Sequence, residues 1–172
     1  GARLVIKKIA DIDITTPRQV EVDRELLTTD VREVLDDPEI SIVVELVGGY
    51  THAKTIVLDA SRSGKHVVTA NKALIATYGN EIFEAADDQK INIGFEASVG
   101  GTIPIIKTLK ESLAGNNIDS IFGIMNGTCN YILTRMTSER RDFQSVLMEA
   151  QEFGFAEADP AYDIEGVDTA HK

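Results

Sequence analysis

Apolar residues in the first half of the chain alternate between two spacings, short β-branched runs and stretches with a helical period. Residues 4–10 carry strand character, and a looser polar region leads to a short helix over residues 30–35. Residues 41–47 form a nearly continuous β-branched run bounded by Gly48 and Gly49, the pattern of a parallel strand buried on both faces. Residues 51–63 then place Ala53, Ile56, Val57 and Ala60 on one helical face, with Gly64 where a left-handed C-cap falls. A strand over 66–70 follows, and Asn71 is placed to cap a short helix. A further helix over 81–88 turns Ile82, Phe83 and Ala86 inward, and a strand over 91–95 closes the series. Strands alternating with helices in this way predict a doubly wound parallel sheet.

After Glu96 the rhythm changes. Pro104 opens a helix whose Ile105, Ile106, Leu109 and Leu113 form one stripe, ended by Gly115. A long strand is expected over 118–125, followed by Asn126-Gly127 and by helices over 129–136 and 142–153. The region from Gly154 onward is acidic and turn-rich. The fold class expected is α/β: a truncated Rossmann-like parallel sheet over 1–96, followed over 97–172 by the start of an α+β catalytic and dimerisation domain. No G-x-G-x-x-G loop precedes the first strand, and residues 167–172 read as the opening turns of a helix, so both termini read as cuts. The alternative is a complete small domain without a nucleotide site.

With 172 residues, 43% of them hydrophobic, the chain can bury a core, and its apolar runs are too short to span a bilayer. A formal charge of −11 opposes nucleic-acid binding, which depends on clustered Lys and Arg. One cysteine, Cys129, permits no internal disulfide and no cysteine-built metal site. With no signal-like amino end, a cytoplasmic location is expected.

Four clusters carry candidate chemistry. Gly48 and Gly49 stand at the carboxyl end of a strand, where ligands approach the backbone in open α/β sheets, although an ordinary turn reads equally well. Residues 68–72 bring Thr69, Asn71 and Lys72 to the same edge, and a lysine at a helix start is electrostatically unfavourable unless it has another task. Residues 96–104 join a carboxylate to a glycine turn whose carbonyl oxygens suit a hard cation, or serve as a plain loop and cap. Finally, Glu157, Asp159, Asp163, Glu165 and Asp168 precede Lys172, four positions beyond Asp168 and on the same helical face. That cluster is either a solvated acidic loop or a pocket that holds an ammonium group and supplies a lysine for proton transfer.

Five ordered blocks, VELVGG at 44–49, GKHVVTANKALIA at 64–76, EASVGGTIPII at 96–106, GIMNGTCNYIL at 123–133 and GFAEADPAYDIEGVDTAHK at 154–172, closely resemble the homoserine dehydrogenase family. The resemblance runs over almost the whole chain, the first forty residues contributing little. It implies an NAD(P)-dependent oxidoreductase that interconverts L-homoserine and L-aspartate 4-semialdehyde on the route to threonine, methionine and isoleucine. Lys172 matches the lysine that exchanges a proton with the substrate oxygen, and Lys72 a second lysine close to cofactor and substrate. Glu157 and Asp168 match carboxylates that hold the substrate, with Thr128 beside it. Gly48, Gly49, Thr69, Lys72, Gly127 and Gly154 line the cofactor side. Glu96, with the backbone oxygens of Val99, Gly101 and Ile103, matches a sodium-type monovalent cation site.

A homodimer built through the second domain is also implied. Without the glycine loop the piece itself is expected to be inactive or nearly so. Asp11 or Asp13 favours NAD if it meets a ribose hydroxyl, whereas Arg18 favours NADP if it meets a 2′-phosphate, and both stay open. Two rival readings are a cysteine-dependent semialdehyde dehydrogenase using Cys129 and a non-catalytic binding or dimerisation module using residues 118–125.

Overall fold

The computed structural model describes residues 3–101, 103–157 and 159–172. The chain divides into two compact units between Ser98 and Val99. In the first unit, strands β1 (Ile9–Ala10) and β2 (Leu27–Thr28) pair in parallel, and helix α1 (Arg32–Leu35) follows. A second parallel sheet has the order β3 (Ile42–Glu45), β4 (His66–Thr69), β5 (Ile93–Gly94), with Val43 opposite Val67 and Val67 opposite Ile93. Helices α2 (Thr51–Arg62) and α3 (Lys72–Gln89) make the crossovers. Parallel neighbours require such connections, and the result is a Rossmann-like α/β arrangement.

Each helix is set by local chemistry. In α2, Ala53, Val57 and Ala60 are fully buried against the sheet. Gly64 ends the helix at φ +72, its N–H bonded to the Ser61 carbonyl and that of Lys65 to the Ala60 carbonyl. This double closure needs a left-handed residue, which glycine adopts without a Cβ clash. Asn71 caps α3, its side chain accepting from the Leu74 N–H at 3.1 Å. Instead of two short helices, α3 is one element of 18 residues running through Gly79. Gly79 is buried with Phe83 and Ile75 beside it, so packing offsets the roughly 1 kcal/mol that glycine costs in a helix.

Two strand expectations need correction. The first strand is confined to Ile9–Ala10, because Leu4, Val5 and Ile6 are largely exposed and gain nothing from pairing there. The run at 41–47 is buried on one face only: Val43 and Glu45 point inward while Ile42 and Val44 are exposed, α2 and α3 packing on the inner side.

In the second unit, helix α4 (Ile105–Lys107) passes into a π-helical turn, Thr108–Ser112. The predicted stripe of Ile105, Ile106, Leu109 and Leu113 is half-buried, but the backbone is widened, with Leu113 N–H bonding the Thr108 carbonyl. Residues 118–125 form no strand. Ile121, Phe122 and Ile124 are exposed, and no strand is present beside them among the described residues, so the backbone lacks the ladder partner a strand requires. Helices α5 (Gly127–Glu139), α6 (Phe143–Glu152), α7 (Ala161–Ile164) and α8 (Val167–His171) follow. Ile132, Val146 and Ala150 form their core.

Glu149 on α6 ties α5 to the loop after it. Arg135 donates to it at 2.8 Å and 3.0 Å, and the Tyr131 hydroxyl and Arg141 donate as well. These donors hold its carboxyl down at about 2, below the usual 4.5. A depressed acid contributes stability above its unfolded-state value that disappears as protons bind the folded form. The thermal unfolding midpoint of this unit is therefore expected to drop as pH falls from about 4.5 toward about 2, with Glu149→Gln flattening that part of the profile. An unchanged slope in the variant would remove Glu149 as the cause.

Candidate functional site

In the second unit, a cleft of about 520 Å³ opens at the start of α5. Its wall includes Gly127, Thr128, Gly154, Asp168 and Lys172, five residues singled out in the sequence. The organising residue is Asn126, which is buried and caps α5 by accepting from the Cys129 N–H at 2.7 Å. Its amide nitrogen donates to Asp163 at 2.8 Å and to Asp168 at 2.9 Å, bringing two acids to the first turn of α5. One turn along α8, Lys172 Nζ lies 3.1 Å from Asp168 Oδ2 and donates to the Met125 carbonyl. The Thr128 hydroxyl donates to the Phe155 carbonyl at 2.8 Å, and the Phe155 ring rests 4.8 Å from that of Tyr131.

Glu157 is exposed and is not part of this wall; its carbonyl accepts from Gln151. Asp163, a member of the acidic cluster marked in the sequence, also lines the cleft, whereas Asn126, Tyr131 and Phe155 line it without having been singled out as binding residues. Asn126-Gly127 signals a helix start, but nothing in its spacing reveals that the amide will face two carboxylates 37 and 42 residues away. Burial, and next the nearby Asp163 and Asp168, push the Cys129 thiol above its ordinary range. Its Sγ donates to the Asp163 carbonyl. A thiol held protonated is a poor nucleophile, which counts against the cysteine-dependent reading.

The first unit brings Gly48, Gly49, Thr69 and Lys72 to the carboxyl ends of β3 and β4. Gly48 and Gly49 have φ of +77 and +61, and a Cβ on either would meet nothing within 4 Å. The backbone is therefore open to close approach by a nucleotide at the sheet edge where open α/β folds bind one. Thr69 is buried and Lys72 half-buried in the first turn of α3. Arg18 bonds Asp11 at 3.0 Å and the Asp13 carbonyl, so the candidate groups for the ribose are paired with one another.

Among the described residues, no three His, Cys, Asp or Glu side chains gather as a metal set. Glu96 lies in a 3-10 turn that ends the first unit, and Gly100 and Gly101 both have positive φ. The Val99, Gly101 and Ile103 carbonyls expected at the cation site belong to the second unit. The Ile103 carbonyl also accepts from the Ile105 N–H at 2.8 Å.

Parallel strands with a glycine turn at the carboxyl end of β3, followed by a helical unit that carries paired acids and a lysine, define a Rossmann-like class with an NAD-binding domain. Residues 2–96 match the homoserine dehydrogenase NAD binding domain, and residues 104–172 match homoserine dehydrogenase. The chain belongs to the homoserine dehydrogenase family. It is 54% identical over 167 residues to a homoserine dehydrogenase of Synechocystis sp., covering 97% of this chain and 39% of that protein. The crystal structure of a homoserine dehydrogenase from Thiobacillus denitrificans superposes with a TM-score of 0.80 at 56% identity, over 85% of this chain and 34% of that one. A hyperthermophilic archaeal homoserine dehydrogenase in complex with NADPH gives 0.74 at 34% identity, over 83% and 44%. The chain thus spans about two fifths of the length of the curated relatives it matches. No helix among the described residues is long and apolar enough to cross a membrane.

Proposed function

We propose that the protein carrying this chain interconverts L-homoserine and L-aspartate 4-semialdehyde, serving threonine, methionine and isoleucine synthesis. The observation that carries this reading is the shared cleft of Lys172, Asp168 and Thr128. Lys172 Nζ has three N–H positions, two of which are taken by Asp168 and the Met125 carbonyl. In the neutral amine the third position is a lone pair, which accepts the substrate hydroxyl proton during alcohol oxidation, and the resulting ammonium returns it during aldehyde reduction. Asp168 and Asp163 offer negative charge to the substrate ammonium, with Glu157 joining them from the adjoining loop. NAD(P), when bound, takes up or delivers the hydride.

On this reading Gly48, Gly49, Thr69, Lys72, Gly127 and Gly154 contact the cofactor, and Lys72 also reaches the substrate as the second active-site lysine. Glu96 with the Val99, Gly101 and Ile103 carbonyls holds a monovalent cation. The protein acts as a cytoplasmic homodimer. The test is nicotinamide absorbance with purified protein carrying this chain. Turnover is expected with L-homoserine and not with L-serine, whose hydroxyl is one carbon closer to the ammonium. Equal turnover with both, or none with homoserine, would refute the assignment.

A further inference from the structure

The carboxyl ends of β3 and β4 are joined by side chains. Glu45, only 1% exposed, is the last residue of β3. Its Oε1 accepts from the N–H groups of Val47 at 2.8 Å and Gly48 at 3.3 Å, and its Oε2 from the Thr69 hydroxyl at 2.6 Å. The Thr69 hydroxyl accepts in turn from the Asn71 N–H at 3.0 Å, and the Asn71 side chain reaches back to the Gly49 carbonyl. The Ser98 hydroxyl, from the turn after β5, closes on the Thr69 carbonyl at 2.9 Å. An aliphatic side chain at this inward position would pack beside Val43 without the desolvation cost of a buried carboxylate. The contribution of Glu45 therefore lies in the groups it holds.

We infer that Glu45 is a positioning residue for the dinucleotide edge. It fixes the Gly48–Gly49 turn and, through Thr69 and Asn71, the start of α3 where Lys72 stands. The inference rests on the cofactor reading above. The geometry explains why a side chain is used: Gly48 and Gly49 have no Cβ and left-handed dihedrals, so the turn has little of its own to restrain it. An acceptor fixed inside the sheet supplies that restraint from beneath, leaving the outer side of the turn open.

The test uses Glu45→Gln and Thr69→Val in this chain, with residue-resolved amide hydrogen exchange and a fluorescence titration with NADH. In both variants the Val47, Gly48 and Asn71 amides are expected to exchange about tenfold faster or more, the effect of losing one charge-assisted bond. The Val57 and Ile82 amides in the core keep their protection, and NADH binding weakens about tenfold. Turn amides that do not move, core amides that loosen by the same factor, or NADH affinity that is unchanged in a freed turn would each overturn the inference. Absence of NADH binding by the unsubstituted chain counts instead against the cofactor reading, and amide exchange then decides the clamp by itself.

Discussion

Replacing Lys172 with alanine, in a protein that carries this chain and oxidises homoserine, is expected to lower kcat about a hundred- to ten-thousand-fold, the range that a positioned general acid or base contributes. The reasoning is geometric. Nζ is held at two points, by Asp168 at 3.1 Å and by the Met125 carbonyl, and it stands on the wall of the cleft. Arginine would keep the positive charge but does not release a proton in proteins, so Lys172→Arg is expected to rescue little of the lost rate. KM for homoserine should change much less than kcat in both variants, because the acids that attract the ammonium remain. A Lys172→Ala enzyme within tenfold of the original kcat would mean that another group moves the proton.

The largest effect on stability is expected at Ile82. It lies midway along α3, fully buried, in a cluster with Val57, Val67 and Leu74 that fastens α3 and α2 to the sheet. Ile82→Ala removes three carbons from a site with no solvent access, and truncations of this kind cost about 2–5 kcal/mol. Urea unfolding followed by circular dichroism should show the midpoint falling with little change in slope. Because α3 also carries Lys72 and the Asn71 cap at its start, NADH affinity should fall in the same variant once the helix frays. A loss below 1 kcal/mol would show that neighbouring side chains collapse into the space.

Legibility of the fold from the sequence followed the locality of the signal. The Gly64 C-cap and the Asn71 cap are written in one or two residues, and the left-handed φ of Gly64 and the Asn71 side-chain bond to Leu74 stand where they were expected. Residues 118–125 have the composition of a strand, but pairing needs a second strand, and the second unit has none among the described residues. The same holds for Ile42 and Val44, whose exposure depends on which face of the sheet receives helices. The π-turn at Thr108–Ser112 leaves the apolar stripe intact, so periodicity could not reveal it. At the site, the i,i+4 relation of Asp168 and Lys172 was readable from spacing alone. The convergence of Asn126 with Asp163 and Asp168, and the latch formed by Glu45, cross tens of residues and leave no periodic trace.

Asn126 does two jobs with one planar group. Its oxygen begins α5 and its nitrogen bridges Asp163 and Asp168. Serine, threonine and aspartate begin helices as well as asparagine does, yet an ionised aspartate has no hydrogen to give and a hydroxyl has only one. Glutamine has the same donors on a longer stem that cannot reach its own helix in the same way. The demands of folding and of the acid pair thus fall on a single atom set that leaves almost no tolerated alphabet at this position, so sequence variants here would be expected to damage helix and pocket in the same stroke.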